Sequence, residues 1–516
     1  MTVVSEGELH VLSPATLEPV GVVAATHPDE VPALVRSARR AQAGWAEVSL
    51  RERRALLRRL TAVLLDRADE LADVIVSETG KPRVEAFTTE AFPALDTLAW
   101  LADEAPRLLA PERVRLRRPH LLHKRGRLLY EPLGVVAVIS PWNFPFAIPF
   151  TQAASAVAAG NGVVVKPSEL TPLTGRLVAS LFADAGAPAG LVQVAQGGGE
   201  VGAALVTSGA DKVVFTGSTE TGRSVAAAAG EHLTPVIVEL GGKDAMVVLD
   251  DADLARAVDG ALWGAFANCG QVCSGVERVY VEGSLYEPFL EELSRRAAQL
   301  ELGSDVGPLI SEQQRERVAA LVDDAVARGA RVHAGGAAPD RQGWYFEPTV
   351  LSGVDAAARL QHDEIFGPVV TVERVADEAA AVAAANRSEL ALGASVWTRD
   401  PSRAERVAAR LRAGSVWHND HAYSYAAGGA AWGGRGTSGF GRTHSKHGLY
   451  ALVNVKFADR DSGRVGVPWW FPYDDAAATA FRGVLGAIYG NGVRARAASA
   501  WRNREAVRML LRRYRA

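Results

Sequence analysis

The chain has 516 residues, of which 48% are hydrophobic and 22% are charged, and its formal net charge is -3. This composition is typical of a globular protein with two or three structural units, and it argues against a disordered chain. The nearly balanced charge excludes a broad basic surface, so we expect no nucleic-acid partner.

Targeting signals and cysteines indicate the cellular compartment in which the protein works. The first residues show no basic segment followed by an apolar run, and no stretch of 18 uncharged apolar residues occurs in the sequence. We therefore expect a protein that is neither secreted by a signal peptide nor membrane-spanning. Cys269 and Cys273, the two cysteines, are only four residues apart. They cannot staple distant segments, which fits a reducing cytoplasm.

The first strong pattern along the chain is a helix that begins near Ser49. Ser49 and Glu52 have the spacing of a capping box, and apolar residues then recur at helical intervals until Gly80 and Pro82. The spacing predicts one long amphipathic helix that ends just before Gly80.

From Gly134 onward, short β-branched runs alternate with helical stretches, as is typical of a parallel, doubly wound sheet. The predicted strands of this first sheet are residues 135–139, 163–165, 191–194, 212–215 and 236–240. A second series follows Cys273 and predicts a second α/β domain, with strands at 279–281, 332–334, 369–372 and 394–397.

Residues 468–516 have a different composition, with nine arginines, three acids and eight aromatic residues. One predicted helical face is apolar and its flanks are basic, with Val507, Leu510, Leu511 and Tyr514 set against Arg508, Arg512 and Arg515. Such a helix either docks on a partner subunit or lies on an anionic membrane surface. We favour docking because it is the commoner fate, and we expect this segment to belong to neither sheet.

Two glycine-rich turns compete as the phosphate-binding turn of a dinucleotide site. The stretch 197–202 matches G-x-G-x-x-G, but three adjacent glycines make the match cheap and no acid ends the next strand. In the stretch 217–222, a strand runs into a glycine turn and then into a helix start, where N–H groups favour a pyrophosphate. We favour the second turn, although an ordinary turn with a Ser or Thr cap has the same pattern.

Cys273 lies in the polar, glycine-flanked segment GQVCS, residues 270–274. A lone cysteine is usually a small packing residue. These neighbours instead suggest a loop or helix start whose hydrogen-bond donors stabilise a thiolate. Cys269 lacks that support, and we expect it to be buried. No second Cys or His pair stands at zinc-ligand spacing near the two cysteines, so we expect no metal site.

Four segments together resemble the signatures of the aldehyde dehydrogenase family, and they occur in the family's order. They are PWNFP at 141–145, ELGGK at 239–243, GQVC at 270–273 and EIFGP at 364–368. The step of 34 residues from Glu239 to Cys273 is also similar to the family's spacing. The resemblance covers residues 10 to 460.

This resemblance implies an α/β fold with a Rossmann-like doubly wound cofactor domain and a second α/β catalytic domain. It also implies a small β oligomerisation element and a homo-oligomer, either a dimer or a tetramer, and it leaves an extra C-terminal helical tail. We expect the cofactor domain at 1–113 and 134–240, and the catalytic domain at 241–437. We expect the oligomerisation element at 114–133 and 438–462, and the C-terminal tail at 463–516.

By the same resemblance, Cys273 adds to an aldehyde and carries first a thiohemiacetal and then a thioester. The Asn143 amide and the Cys273 N–H would hold the oxyanion, and Glu239 would activate the water that releases the acid. Glu239 favours a free acid product over transfer to coenzyme A. The alternatives are a coenzyme A-acylating aldehyde dehydrogenase and a non-catalytic protein of the same fold.

The resemblance further implies NAD as the cofactor, with NADP as the alternative. Lys166 and Glu169 would lie near the adenine ribose, where a carboxylate accepts hydrogen bonds from a 2'-hydroxyl but repels a 2'-phosphate. The other expected cofactor contacts are Gly217, Ser218 and Gly222 at the pyrophosphate, Glu364 at the nicotinamide ribose, and Trp142, Leu240 and Phe366.

For the substrate, the resemblance places Phe144 and Trp432 in the pocket, with Phe146, Tyr423 and Tyr425 as further candidates. These side chains favour an apolar or aromatic aldehyde over a charged one. Trp432 precedes two glycines and either lies beside the nicotinamide or packs in the interior.

Overall fold

A computed structural model gives the structure of the chain. It describes residues 3–5, 7–116, 121, 123–461, 463, 467, 469–471 and 473–514. The chain folds into two compact units, which we call the large unit (Met1–Ala110 with Glu131–Asn454) and the small unit (Pro111–Tyr130 with Val455–Ala516). The division into four segments expected from the resemblance is a finer one, and it stays a prediction.

The strands are, in chain order, β1 (Val3–Ser5), β2 (Glu8–Leu12), β3 (Pro19–Ala24), β4 (Glu112–Val114), β5 (Lys124–Pro132), β6 (Val135–Ile139), β7 (Gly162–Lys166), β8 (Val192–Val194), β9 (Lys212–Thr216), β10 (Val236–Glu239), β11 (Asp244–Val248), β12 (Val276–Glu282), β13 (Arg331–Ala334), β14 (Thr349–Ser352), β15 (Val369–Val375), β16 (Leu390–Ala391), β17 (Gly393–Trp397), β18 (Ser415–His418), β19 (Arg435–Gly436), β20 (Gly439–Phe440) and β21 (Val453–Asp461).

The helices are, in chain order, α1 (Val31–Ala46), α2 (Leu50–Asp66), α3 (Ala68–Thr79), α4 (Arg83–Glu85), α5 (Phe92–Leu108), α6 (Ala147–Ala158), α7 (Pro172–Asp184), α8 (Gly199–Val206), α9 (Thr219–Glu231), α10 (Leu254–Phe266), α11 (Tyr286–Ala297), α12 (Glu312–Ala327), α13 (Arg359–His362), α14 (Glu378–Ala385), α15 (Pro401–Ala408), α16 (Ser445–Tyr450), α17 (Asp475–Tyr489), α18 (Gly492–Arg502) and α19 (Arg504–Tyr514). A π-helical turn at Ala86–Ala91 joins α4 to α5.

The first large sheet has six strands in the order β20-β10-β9-β6-β7-β8. All neighbours in it are parallel except β20, which pairs antiparallel with β10. Every residue of β6 and β7 is buried, as expected for central strands covered on both faces. The five strands predicted for this sheet are all present, and the α/β fold class is confirmed.

The second large sheet has seven strands in the order β13-β14-β15-β12-β11-β17-β18. Its neighbours are parallel except β13, which pairs antiparallel with β14. An apolar core of β-branched and aliphatic side chains joins this sheet to α10, α11 and α12, and Cys269 lies in it. The four strands predicted for this part of the chain are present.

The helix predicted from Ser49 to Gly80 starts where the sequence places it. The Ser49 hydroxyl accepts a hydrogen bond from the Glu52 N–H, and the Glu52 carboxyl accepts one from the Ser49 N–H. This reciprocal pair is the capping box that the spacing indicates. The prediction of a single helix is wrong, however, because the segment forms α2 and α3.

The break falls at Arg67, whose backbone (φ -106°, ψ 16°) leaves the helical region between the two helices. Its guanidinium is bound to Glu70 in α3 and to Asp184 at the end of α7. This contact joins residues 117 positions apart. Local spacing cannot reveal such a distant partner, so the helical spacing of apolar residues continues across the break.

In the small unit, β21, β5 and β4 form a three-stranded sheet in that order. The C-terminal segment forms α17, α18 and α19, with α17 packed against both other helices. As predicted, this segment belongs to neither large sheet. The side chains of the expected apolar face (Val507, Leu510, Leu511, Tyr514), all of Arg515 and residues 117–120 and 122 lie outside the described residues. Among the described helices, none is long and apolar enough to cross a membrane.

Candidate active site

Cys273 follows a strained turn between α10 and β12. Asn268, Cys269 and Gly270 all have left-handed backbone conformations, with φ of 51°, 57° and 67°. For the two residues with side chains this costs roughly 1–2 kcal/mol each. Gly270 is required for a second reason, because a Cβ there would lie 2.1 Å from the Gly367 carbonyl oxygen. The turn therefore fixes the backbone that carries Cys273.

Buried hydrogen bonds hold this turn in place. The Asn268 N–H donates to the Glu85 carboxyl at 2.8 Å, and the Asn268 amide donates to the Asn143 carbonyl at 2.9 Å. The Gln271 amide oxygen accepts a hydrogen bond from the Ile310 N–H at 2.8 Å. The strain is thus balanced by contacts from three separate segments, which is the usual circumstance of a strained functional turn.

The surroundings of the Cys273 thiol favour its neutral form. Burial raises its pKa above the ordinary value, and the nearby carboxyls of Asp244, Glu364 and Glu239 raise it further. The Ser274 N–H is the donor that opposes these effects. Burial therefore outweighs this single N–H, and the expectation that donors stabilise a thiolate stays a prediction. The thiol must lose its proton during the reaction.

Asn143 lies in the loop after β6 and is buried, with 4% of its surface exposed. Its side-chain amide donates to the Gln271 carbonyl at 3.0 Å, which brings it to the turn before Cys273. Its own carbonyl accepts a hydrogen bond from the buried Lys81 ammonium at 3.0 Å. Lys81 is in turn paired with Glu90 at 2.8 Å. The amide is thus held rigidly beside the cysteine segment.

Glu239 is the last residue of β10 and is 5% exposed. Burial raises its pKa well above the ordinary value, while the charge of Arg442 and the Gly434 N–H oppose the shift. Neither carboxyl oxygen makes a hydrogen bond of normal geometry within the described part of the chain. Lys243, the cation nearest in sequence, pairs with Glu277 and not with Glu239. The Glu239 carboxyl is therefore not held by a hydrogen bond that would prevent it from acting as a base.

Cys273 and Glu239 line two cavities. The first, which we call the pocket, has a volume of about 240 Å³. Its walls are mainly apolar and aromatic, with Phe144, Ile148, Leu240, Trp263, Val272, Leu392, Tyr423, Tyr425 and Trp432 among them. Among the lining residues that the structure describes, Glu239 is the one Asp, Glu, Lys or Arg. His421 also lines it, and burial lowers the pKa of this imidazole to about 4, so it is neutral.

The second cavity, which we call the cleft, has a volume of about 410 Å³ and a more polar lining. It contains the carboxyl end of the first sheet and the start of α9, which Ser218 caps by accepting from the Thr221 N–H. The expected cofactor residues that line the cleft are Trp142, Gly217, Ser218, Leu240, Glu364 and Phe366. Asn143 lies in its wall as well.

Residues 3–458 match the family described as "Aldehyde dehydrogenase family". The chain belongs to the aldehyde dehydrogenase family. It is therefore an oxidoreductase that oxidises an aldehyde, as the sequence predicted.

Among curated relatives, this aldehyde dehydrogenase is 41% identical to "4,4'-diapolycopene aldehyde oxidase" of Methylomonas sp, covering 90% of this chain and 88% of the relative. It is 39% identical to a betaine aldehyde dehydrogenase of Cereibacter sphaeroides, covering 89% of this chain and 95% of the relative. Betaine aldehyde dehydrogenase from Staphylococcus aureus in complex with NAD+ superposes with a TM-score of 0.85 at 32% identity, over 92% of this chain and 95% of that one. A structure described as an E. coli NADP dependent enzyme gives 0.84 at 36% identity, over 88% and 95%.

Glu364 lies at the meeting point of the cleft and the second sheet of this aldehyde dehydrogenase. Its carboxyl accepts a hydrogen bond from the Gly242 N–H at 3.0 Å. Burial and the neighbouring Glu277 raise its pKa to about 8. Phe366, two residues later, is left-handed at φ 55° and meets Trp142 edge to face at 5.4 Å.

Three expected cofactor residues do not line the cleft. Lys166 ends β7 and is paired with Glu169 at 3.3 Å. Gly222 lies in α9, where a Cβ would come within 2.3 Å of Leu240, so its role here is close packing. The competing stretch 197–202 lines neither cavity and forms the start of α8, where the Gly198 N–H donates to Glu200.

Sequence reasoning missed several lining residues. Arg317 and Gln314 project from α12, and their side chains donate to the Glu364 carbonyl at 2.7 Å and the Phe366 carbonyl at 2.8 Å. Trp263 of α10 and His421 lie in the pocket wall. Each belongs to an ordinary helix or loop with no recognisable motif. Within the described residues, no group of three or more His, Cys, Asp or Glu side chains could hold a metal ion.

Proposed function

We propose that this aldehyde dehydrogenase oxidises an apolar aldehyde to the free carboxylic acid with NAD, NADP being the alternative, through a thioester on Cys273. The observation that carries the proposal is the position of Cys273 and Glu239, which line both the apolar pocket and the polar cleft. An aldehyde entering from one side meets the thiol beside the cofactor held on the other.

The cleft residues fit a nicotinamide dinucleotide. The N-terminus of α9, capped by Ser218, offers partial positive charge to a pyrophosphate. A Cβ at position 241 would lie 2.4 Å from the Glu364 carboxyl oxygen, so Gly241 keeps the space beside this carboxyl open. Lys166 and Glu169 would hold the adenine ribose, and Glu169 favours NAD because a carboxylate repels a 2'-phosphate.

The first step removes the thiol proton. Since the pKa of Cys273 is raised by burial, the thiol gives its proton to a water molecule as the sulfur attacks, and Glu239 stays ionised for the later hydrolysis. The new C–S bond leaves charge on the former carbonyl oxygen. The Cys273 backbone N–H and one N–H of the Asn143 side-chain amide would stabilise this oxyanion. The other N–H of that amide donates to the Gln271 carbonyl.

The chemistry that a bound nicotinamide would supply is acceptance of a hydride from the carbon attached to the Cys273 sulfur, which would leave a thioester on that sulfur. Glu239 then takes a proton from a water molecule that adds to the thioester carbonyl. The C–S bond breaks, the acid leaves, and the Cys273 thiol recovers a proton. Retention of Glu239 favours hydrolysis over transfer to coenzyme A.

The pocket supports the substrate class. The described residues of its lining include no lysine or arginine, so a carboxylate on the substrate would be desolvated without a partner. Its aromatic walls offer dispersion and apolar burial to a hydrocarbon or aromatic group. Aromatic faces also attract a cation, and relatives named betaine aldehyde dehydrogenase make betaine aldehyde the second candidate substrate.

We further propose a cytoplasmic homo-oligomer. On β21 of the small unit, Val455 and Phe457 are 57% and 52% exposed, which suits a strand that a second subunit covers. The tail carries exposed Trp470, Phe471 and Trp501, which we assign to docking on a partner subunit.

The test is NADH formation with aldehydes of graded chain length, with benzaldehyde and with betaine aldehyde, using Cys273→Ala as the control. We expect kcat/KM to rise with chain length, by about three- to fourfold per buried methylene until the pocket is full. Repeating the series without residues 468–516 tests the tail. Preference for betaine aldehyde would overturn the apolar assignment, a coenzyme A thioester product would overturn hydrolysis, and no activity with any aldehyde would overturn the function.

A further inference from the structure

A buried ion pair lies behind the loop that carries Glu364. The Lys243 ammonium is 2.6 Å from the Glu277 carboxyl, and the two side chains are 0% and 8% exposed. Lys243 stands just before β11, and Glu277 is the second residue of the adjacent strand β12. Neither residue lines the pocket or the cleft. A buried pair of this kind contributes little net stability compared with apolar packing, so its use must lie in what it holds.

Both members of the pair bind the backbone of the loop 363–366. The second carboxyl oxygen of Glu277 accepts hydrogen bonds from the Ile365 N–H at 2.7 Å and the Phe366 N–H at 3.2 Å. Lys243 donates to the Asp363 carbonyl at 2.7 Å. The pair therefore forms hydrogen bonds with three consecutive peptide groups around Glu364, and neither member binds the Glu364 side chain.

The loop needs such support because Phe366 is left-handed at φ 55°. A non-glycine residue in that region is strained and returns to the extended region unless its surroundings hold it. The carboxylate of Glu277 can accept the two successive N–H groups that this conformation presents, whereas a neutral side chain offers weaker acceptors. Release of Phe366 would also move the Glu364 carboxyl away from the Gly242 N–H, its partner at 3.0 Å.

We infer that Lys243 and Glu277 are positioning residues that hold Glu364 and Phe366 in the conformation required to bind the nicotinamide ribose of the cofactor. The inference rests on the proposed function of the cleft. Lys243 fixes the Glu277 carboxylate, Glu277 fixes the loop, and the loop presents Glu364. Neither residue is assigned any contact with the cofactor or the aldehyde.

The test is the Kd for NADH, measured by fluorescence on the full-length protein, for Glu277→Gln and Lys243→Met. We expect each Kd to rise about tenfold, the size of effect that follows loss of one buried charge-assisted hydrogen bond. In turnover, KM for the cofactor should rise by a similar factor, with KM for the aldehyde unchanged.

Glu282→Gln is the matched control. Glu282 is also a largely buried acid on β12, but it binds Arg403 at 2.8 Å and not the loop. A purely structural role for Glu277 would make both Gln variants less stable to heat while leaving their Kd alike. Equal Kd values in wild type and a folded Glu277→Gln variant would overturn the inference.

A measurement on the wild type covers the case in which the variants do not fold. The amides of Ile365 and Phe366 should exchange slowly with deuterium in the cofactor-free protein, since Glu277 accepts both. Rapid exchange there would overturn the inference. Wild type that binds NADH without oxidising any aldehyde would instead contradict the proposed function and leave the inference standing.

Discussion

The pocket and the cleft meet at Cys273 but are built differently. The cleft is lined largely by compact sequence segments at the carboxyl end of the first sheet and by the loop of Glu364. The pocket also takes side chains from elements without a family motif, such as Trp263 of α10 and Tyr423 of a short turn. This difference separates the residues that serve the reaction itself from those that select the aldehyde. Changes in the cleft should affect every aldehyde alike, and changes in the pocket should affect one aldehyde against another.

The largest effect should come from Cys273, one of the residues that line both cavities. Cys273→Ala removes the nucleophile, and we expect kcat to fall by roughly 10⁴-fold or more while the Kd for NADH changes little. Cys269→Ala is the control, since that thiol is 1% exposed in the core. It should lose about 1 kcal/mol of stability and keep its activity. Full activity of Cys273→Ala would remove the basis for the assigned mechanism.

The next effect concerns deacylation. Glu239→Gln should lower kcat by roughly 10² to 10⁴, with one equivalent of NADH per active site released in a burst as the thioester accumulates. Burial raises the pKa of Glu239, so the carboxyl is protonated at low pH and becomes a base as pH rises. Wild-type kcat should therefore increase with pH, and the variant should lose this dependence. A variant that shows no burst and keeps the wild-type pH profile would assign the base elsewhere.

A smaller effect is specific to the cleft. The pKa of Glu364 is about 8, so below that pH its carboxyl carries a proton that must leave before both oxygens can accept ribose hydroxyls. We expect the Kd for NADH to fall as pH rises from 6 to 8, by at most about tenfold per pH unit, and then to level off. Glu364→Gln should be insensitive to pH over this range, whereas Glu220→Gln, also in the cleft wall, should behave like wild type. Calorimetric titration measures this, and a pH-dependent Glu364→Gln variant would refute it.

The sequence predicted the parts of the molecule that depend on local pattern. Every strand read from β-branched runs is present, and the segments around Cys273, Glu239 and Asn143 come together because each follows or precedes a strand of the two sheets. The capping box at Ser49 was equally local. These features need only a few neighbouring residues to be recognised.

What the sequence could not predict depends on partners far along the chain. The break at Arg67 involves Asp184, and the support of Phe366 involves Glu277, 89 residues earlier. The pKa of Cys273 could not be predicted either, because it is set by burial and by the carboxyls of Asp244, Glu364 and Glu239. No spacing rule reports the burial of a group or the charge gathered around it.

The smallest effect should fall on the pocket alone. Tyr423 lines it and is 57% exposed, so Tyr423→Ala should remove apolar contact from a long substrate without disturbing the interior. We expect kcat/KM to fall about five- to tenfold for a long-chain aldehyde and to stay unchanged for acetaldehyde, with KM for NAD constant. Tyr473→Ala, at a 70% exposed site in the tail, is the control. If it also lowers kcat/KM for the long aldehyde, the docked tail of a partner subunit forms part of the selective surface; equal losses for short and long aldehydes in Tyr423→Ala would contradict the division between pocket and cleft.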